Sequence, residues 1–453
     1  MKRIVVLGGG ESGVGAAILA KDKGFDVFLS DSGKIQDKFK EILMSENIGF
    51  EENGHTNSKI LNADEIVKSP GIPPTTPLMR TILSKNIPVI SEIEFAGRYT
   101  NSKMICITGS NGKTTTTMLI FHILQKAGID ASLAGNIGRS LAFQVSREPH
   151  AVYVVELSSF QLENMYNFKA NVAVMMNITP DHMDRYNYEM NNYIKAKFRI
   201  VNNMTNEDVF IYWEDDDIIT SQIERMRIEA KLLPFSRTHK SSNTAAWEED
   251  ESIIFDIEGY RKWNMPRADL ALNGLHNLYN SMAAGLSATF LNIKKETIRE
   301  ALSDFRNVEH RLEYVATVNG ARYINDSKAT NVDSCWYALE CMPKGRKSVI
   351  LILGGKDKGN DYSQIKEMVD KKVKAIVALG KDNSKIIDFF NGHKVYDTHS
   401  MADALDACYI EATTDDTVLL SPCCASFDLF NSYEHRGKCF KEEVIRLKSF
   451  NSK

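Results

Sequence analysis

The run Thr108-Gly109-Ser110-Asn111-Gly112-Lys113-Thr114-Thr115 sets two glycines, a lysine and paired hydroxyls directly after the apolar stretch Met104-Ile105-Cys106-Ile107. A strand that opens into glycines exposes backbone N–H groups to phosphate oxygens. A lysine offsets their charge, and a hydroxyl can ligate Mg²⁺ bound between them. The usual G-x-x-x-x-G-K-[ST] pattern needs glycine where this chain has Ile107, so the loop is a shortened variant. It predicts an ATP site.

A second glycine loop, Gly8-Gly9-Gly10-Glu11-Ser12-Gly13, fits G-x-G-x-x-G after a short β-branched run, and Asp31 follows 18 residues past Gly13. Such a loop lets the backbone approach a diphosphate at a helix N-terminus. The motif does not say which nucleotide binds. Further chemistry-bearing clusters are Val155 to Leu162, with Glu156, and Asn177 to Arg185, with Asp181 and His182, each starting where a predicted strand ends. Ligands of open parallel sheets gather at that edge. Glu156 offers a hard oxygen to Mg²⁺ and His182 an imidazole near the same cation. Lys197 lies in a helix-like segment, where chemistry alone reads it as a solvated surface lysine. His310-Arg311, Asn325 to Asn331 and Gly354 to Gly359 crowd polar groups at later strand ends, which suits charged ligands better than core packing.

The elements that must carry these clusters follow from hydrophobic spacing. Residues 3–7, a helix from Val14 to Lys23 and a run at 26–29 make a βαβ opening, and Ser69-Pro70-Gly71-Ile72-Pro73-Pro74 breaks the pattern. The run 88–90 and a helix over 92–99 close a first domain. A second series has runs at 104–108, 151–155, 171–176 and 209–212, and a helix over 275–290. After a polar helix near 295–305, a third has runs at 314–318, 322–325, 348–353, 374–379 and 417–421. The acidic stretch Trp247-Glu248-Glu249-Asp250-Glu251 reads as a solvated loop. The expected fold is α/β in three domains: an N-terminal Rossmann-like domain (1–95), a central P-loop ATPase-like parallel-sheet domain (96–303) and a C-terminal Rossmann-like domain (304–453).

Composition agrees with that reading. A chain of 453 residues, 43% apolar and 25% charged, is too long for a stapled mini-scaffold and too apolar for disorder. A net charge of −4 gives no global reason to bind nucleic acid or an anionic membrane. No signal-peptide core or membrane-length apolar run occurs. Seven scattered cysteines without a CxxC pair suit reduced thiols, so the expected location is cytoplasmic.

Taken together, TGSNGKTT (108–115), GNIG (135–138), ELSSFQLE (156–163), NITPDHMDRY (177–186), YIKAKFRI (193–200), GLHN (274–277), HRLE (310–313), NDSKATN (325–331), GGKDKG (354–359) and SPCCASFD (421–428) resemble the Mur ligase family over essentially the whole chain. Within the family the glycine loop and SPCCASFD are most similar to the branch that adds D-glutamate. The resemblance implies ATP-dependent amide ligation in peptidoglycan precursor synthesis. The carboxylate of UDP-N-acetylmuramoyl-L-alanine becomes an acyl phosphate, which D-glutamate attacks, releasing ADP and phosphate.

Carried onto matching positions, the resemblance implies that Gly109, Ser110, Asn111, Gly112, Lys113, Thr114, Thr115, Asn277, Arg311, Asp326 and Lys328 bind ATP. Thr114, Glu156, His182 and Lys197 serve two Mg²⁺ sites, with Lys197 carbamylated by CO₂, and Lys113, Glu156, His182 and Lys197 are the catalytic set. Gly10, Glu11, Ser12, Asp31, Ser32, Asn136 and His182 hold the UDP-substrate, and Thr330, Lys358, Ser426 and Phe427 hold D-glutamate. His310 stands at the entrance to the third domain, and Tyr433 falls where relatives often have Phe. Related ligases often carry a basic residue after the Asp-Ser pair, where this chain has Gly33 followed by Lys34. The implied partners are small molecules only, with no membrane insertion, and the implied state is a monomer. Two rival readings remain: a nicotinamide-dependent oxidoreductase, which leaves TGSNGKTT unexplained, and a P-loop binding module, which has no use for the third-domain clusters.

Overall fold

The computed structural model describes residues 1–239, 241–272, 274–305, 309–343 and 345–450. Three sheets with flanking helices make three α/β domains. By internal contacts the chain forms two compact units: Met1–Leu270 with Tyr279–Phe305, and Ala271–Leu278 with Arg306–Lys453.

In the first unit, β1 (Arg3–Leu7), β2 (Asp26–Ser30), β3 (Gly49–Glu51), β4 (Glu65–Lys68) and β5 (Val89–Ser91) form a parallel sheet in the order β3-β2-β1-β4-β5. The helix Glu11–Asp22 starts earlier than apolar spacing predicts, at Glu11 itself. Gly13 makes this possible, because a Cβ there would lie 1.8 Å from the Gly8 carbonyl oxygen. The strands β3 and β4 escaped the hydrophobic reading because one has three residues and the other begins and ends in charge.

The second sheet of this unit comprises β6 (Lys103–Thr108), β7 (Ala131–Gly135), β8 (Val152–Glu156), β9 (Val172–Met175), β10 (Val209–Trp213), β11 (Lys231–Phe235), β12 (Ala246–Glu249), β13 (Ser252–Phe255) and β14 (Trp263–Pro266), in the order β14-β13-β12-β11-β10-β9-β6-β8-β7. It is parallel from β7 to β12, and β13 and β14 fold back antiparallel. The acidic stretch read as a solvated loop is therefore a hairpin: Trp247 is buried in β12, and only Asp250 and Glu251 turn, both at positive φ. Alternation explains it, since one face of an edge hairpin stays polar while the other packs. Register brings Ile107 of β6 level with Glu156 of β8 and Val174 of β9, and Gly135 of β7 level with Glu156. The chemistry-bearing loops thus leave one sheet edge side by side.

These two sheets are tied by buried carboxylates. Glu92, after β5, accepts hydrogen bonds from Ser140 Oγ (2.7 Å) and Ala142 N (2.6 Å) at the start of the helix Leu141–Arg147. Burial pushes its carboxyl up to about 7. Glu94 accepts from the backbone N–H groups of Tyr166, Asn167 and Phe168.

The second unit holds β15 (Glu313–Val318), β16 (Ala321–Asn325), β17 (Val349–Gly354), β18 (Val373–Leu379), β19 (Val395–Thr398) and β20 (Thr417–Cys423), ordered β15-β16-β20-β17-β18-β19. Only β15 is antiparallel to its neighbour. Apolar clusters fill both faces of this sheet, as a helix-covered parallel sheet requires. The helix Leu275–Phe290 begins in this unit and continues in the first. Among the described residues no helix is long and apolar enough to cross a membrane.

Candidate active site

The loop from Gly109 to Gly112 joins β6 to the helix Lys113–Lys126. Gly112 adopts φ +82°, and a Cβ there would stand 2.6 Å from Asn280 Oδ1, so only glycine fits. The loop is held from β9's side. Ser110 N donates to Asn177 O (2.9 Å), Asn111 N to Asn177 Oδ1 (2.8 Å), and Ser110 Oγ to Thr179 O (2.7 Å). Lys113 Nζ curls over it, donating to Gly109 O (2.8 Å) and Ser110 O (2.9 Å). Thr114 and Thr115 are buried at the helix start. Asn280, which carried no motif, accepts from Thr116 Oγ1 at 3.1 Å and so braces the helix.

Lys197 is not the surface lysine that helix chemistry suggested. It is 1% exposed, and its Nζ donates to Gly109 O at 2.7 Å. Burial and the neighbouring Lys113 charge hold its pKa well below the ordinary lysine value, with Asp181 opposing. The segment buries it because Tyr193 and Lys197, four apart on the helix Met190–Phe198, share the face toward the loop, with Nζ 4.6 Å from the Tyr193 ring centre.

Glu156 ends β8 at 1% exposure. Its Oε1 accepts from Asn136 Nδ2 (2.8 Å), whereas Oε2 is buried without a hydrogen-bond partner among the described residues. An orphaned carboxylate oxygen is costly unless a cation or donor completes it. His182, at φ +55°, precedes the turn Met183–Tyr186, packs its ring 5.0 Å from Phe160 and lies 3.6 Å from Asp181 Oδ2. The orphaned oxygen of Glu156 is the hard, anionic donor that a divalent cation such as Mg²⁺ takes.

At the first glycine loop, Asp31 Oδ2 accepts from Gly9 N (2.6 Å) and its Oδ1 from Gly33 N (2.8 Å), so this acid clasps two loops at the sheet edge. Gly10, Glu11 and Ser32 are exposed beside it and Ser12 is half-buried. Ser140 N lies 3.5 Å from Glu11 Oε1, linking this loop to the segment that follows Asn136.

The second unit carries Asn277, Arg311, Asp326, Lys328, Thr330, Lys358, Ser426 and Phe427. Asp326 is 1% exposed, accepts from Leu312 N (3.2 Å) and Ser421 Oγ (2.9 Å), and is pushed up to about 6 by burial, with Arg311 opposing. Buried His276, beside Asn277, is pulled down to about 3 by burial and the Arg311 charge. His310 is buried, its Nδ1 2.9 Å from Asn325 Nδ2. Lys328 Nζ donates to Tyr433 Oη at 3.1 Å. The loop bearing Lys358 is zipped to the strand end before Ser426, with Lys356 N donating to Ala425 O (2.8 Å) and Asn360 Nδ2 to Cys423 O (3.0 Å). Phe427 is 70% exposed, whereas Tyr433 accepts from Lys328 and Tyr362 donates to Asp357 in the loop that bears Lys358.

Sequence reasoning missed Arg436. Although 1% exposed, it donates to Ser327 Oγ and O, Cys424 O and Gly354 O, cross-linking three strand ends. An arginine inside a helix rich in Lys and Glu gives no signal of burial.

Known proteins agree with this architecture. Residues 3–78 match the MurD N-terminal domain, 107–288 the Mur ligase middle domain and 310–424 the Mur ligase, glutamate ligase domain. The UDP-N-acetylmuramoylalanine–D-glutamate ligase of Bacteroides fragilis is 58% identical over 450 residues, covering 99% of this chain and 100% of that protein. The enzyme of the same name from Porphyromonas gingivalis is 54% identical over 448 residues, 98% of each chain. Two solved structures share the fold: a pseudomurein peptide ligase type C from Methanothermus fervidus (TM-score 0.62, 22% identity, 99% of this chain and 100% of that one) and a UDP-N-acetylmuramate-alanine ligase from Thermotoga maritima (TM-score 0.61, 17% identity, 100% of both). With glycine loops, buried lysine and orphaned carboxylate all in place along such a match, the chain belongs to the Mur ligase family, in the group of the UDP-N-acetylmuramoylalanine–D-glutamate ligases.

Proposed function

We propose that this protein is the ATP-dependent ligase that joins D-glutamate to UDP-N-acetylmuramoyl-L-alanine in peptidoglycan precursor synthesis. The observation that carries the reading is the likeness to D-glutamate ligases over the whole chain, ATP loop and third sheet together. Chemically, an amine cannot expel hydroxide from a carboxylate at neutral pH. The substrate carboxylate therefore attacks the γ-phosphorus of ATP, forming an acyl phosphate and releasing ADP. The neutral amine of D-glutamate adds to its carbonyl carbon, loses a proton, and the tetrahedral adduct collapses with loss of phosphate.

Residues 1–95 bind the UDP-substrate, 96–303 ATP and 304–453 the amino acid. The loop Gly109 to Thr115, through the backbone N–H groups that Asn177 does not engage, and the Lys113 ammonium take the ATP phosphates. Thr114, Glu156, His182 and Lys197 hold two Mg²⁺ ions, a reading supported by the unpartnered Oε2 of Glu156. Mg²⁺ supplies positive charge against the phosphate oxygens when bound. Desolvation keeps Lys197 a neutral amine, which adds to CO₂ and loses a proton to give an anionic carbamate. Gly10, Glu11, Ser12, Asp31, Ser32, Asn136 and His182 orient the UDP-substrate. Asn277, Arg311, Asp326 and Lys328 complete ATP binding. Lys328 adjoins the D-glutamate group of Thr330, Lys358, Ser426 and Phe427 at Thr330, whose N–H donates to Lys328 O (2.9 Å), and Lys358 faces a carboxylate there. The enzyme works as a monomer in the cytoplasm.

The test is phosphate release from ATP with UDP-N-acetylmuramoyl-L-alanine and, in turn, D-glutamate, L-glutamate, diaminopimelate or no acceptor. Release that requires D-glutamate, with a product one glutamyl residue heavier, is expected. Equal release with every acceptor removes the assignment of the amino acid.

A further inference from the structure

A cavity of about 390 Å³ opens in the first unit where the segment after β4, the turn after His182 and the helix Met190–Phe198 meet. None of the residues assigned above to nucleotide, UDP-substrate, amino acid or metal lines it. Its walls carry four cations, Lys68, Arg185, Lys195 and Arg199, against the single carboxylate of Glu163. Two of those cations are deep. Lys68 is 3% exposed, and among the described residues its Nζ donates to carbonyls, Ser69 O (3.2 Å) and Ile72 O (3.0 Å). Burial and the Arg185 charge pull its pKa down to about 8.

The Arg185 side chain is 8% exposed and pairs with Glu163 at 2.9 Å. Its Nε is buried with no hydrogen-bond partner among the described residues. Arg185 also lies over the Phe160 ring at 4.5 Å and reaches Ile72 O (3.4 Å), yet two desolvated cations share one carboxylate and one guanidinium donor stays unused, which leaves the pair with excess positive charge. The remaining wall is apolar, from Met79, Leu83, Val89 and the rings of Tyr166 and Tyr186. The volume lies within the usual range for small-molecule sites.

We propose that this cavity binds a small organic anion, an apolar body bearing one phosphate or carboxylate head, at a site separate from the reaction centre and mechanically joined to it. The joint is the helix Met190–Phe198. Lys195 and Arg199 are four apart and line the cavity, while Lys197 between them reaches the opposite way to Gly109 O. Arg185 stands three residues after His182 in the same turn. An anion that draws Lys195 and Arg185 inward acts on the two elements that carry Lys197 and His182.

The experiment is calorimetric titration of the full-length protein with phenyl phosphate, with benzoate and with neutral benzyl alcohol. It is run on the wild type, on Lys195→Glu at the rim and on Leu83→Trp, which fills the mouth from a half-exposed position. Saturable binding of one anion per chain is expected, with benzyl alcohol silent, Lys195→Glu at least tenfold weaker and Leu83→Trp without measurable binding. The tighter of the two anions identifies the head group. Ligation rates of both variants without added anion remain near wild type and show that they are folded. Absence of binding by both anions to the wild type overturns the proposal, as does wild-type affinity in both variants, which places the anion elsewhere.

Discussion

A buried lysine sits at the functional edge of the central sheet and a buried aspartate at that of the third, and the two are handled in opposite ways. Lys197 has a like charge beside it, Lys113, and one carbonyl to donate to. Asp326 has an opposite charge beside it, Arg311, and two donors. Desolvation penalises both charged forms, yet only the lysine is pushed further by its neighbour. At the central site burial and a like charge therefore both disfavour the charged lysine, while at the third sheet the neighbouring Arg311 and two donors work against the burial that disfavours the charged acid. Desolvated titratable groups beside a specific charge partner, as both of these are, gather at functional sites.

The largest effect expected from breaking this comparison is that of Lys197→Ala, which lowers turnover by at least ~10³-fold, with partial rescue by added short carboxylic acids, read as phosphate release. Wild-type turnover in that variant removes the carbamate. Lys197→Arg fails equally and without rescue, because a guanidinium stays protonated. Next, Glu156→Gln keeps the Asn136 contact but loses the anionic oxygen. We expect kcat to fall on the order of 10²-fold with a raised Mg²⁺ requirement, measured by metal titration.

Asp326→Asn sharpens the other side. Its carboxyl lies near 6 when folded and near 3.8 when unfolded, so between those values the folded chain binds the extra proton. Stability from this group is complete below pH 3.8 and is lost as pH rises through 6. The asparagine variant flattens that decline in denaturant midpoints taken from pH 4 to 7. Glu92, pushed up to about 7 from 4.5, contributes with the same sign over a higher window, and Glu92→Gln removes it. The smallest effect belongs to Tyr433→Phe, which removes the oxygen that Lys328 donates to. We expect a loss of about 1 kcal/mol, seen as a few-fold rise in KM for ATP, whose site Lys328 completes, with kcat nearly unchanged.

Much of this architecture is legible without coordinates. The runs 3–7 and 104–108 and the helix over 275–290 are found within a residue of their expected bounds, because long apolar periods outweigh local noise. Strands β3 and β12 were not, the first for its three residues and the second for alternating charge. The same limit hid Arg436 and Asn280, whose roles rest on carbonyls and hydroxyls far away in sequence.

The sequence by itself determined the two glycine loops, the order of the three α/β series and the ligase resemblance, since each is written in residues adjacent along the chain. Only the tertiary structure decided that Lys197 is buried against the phosphate loop, that Glu156 keeps one oxygen without a partner, and that Lys68 and Arg185 meet in a cationic cavity. Desolvation is the reason for the division. The charge state of a lysine or carboxylate is set by what surrounds it in space, and those surroundings come from segments tens of residues apart.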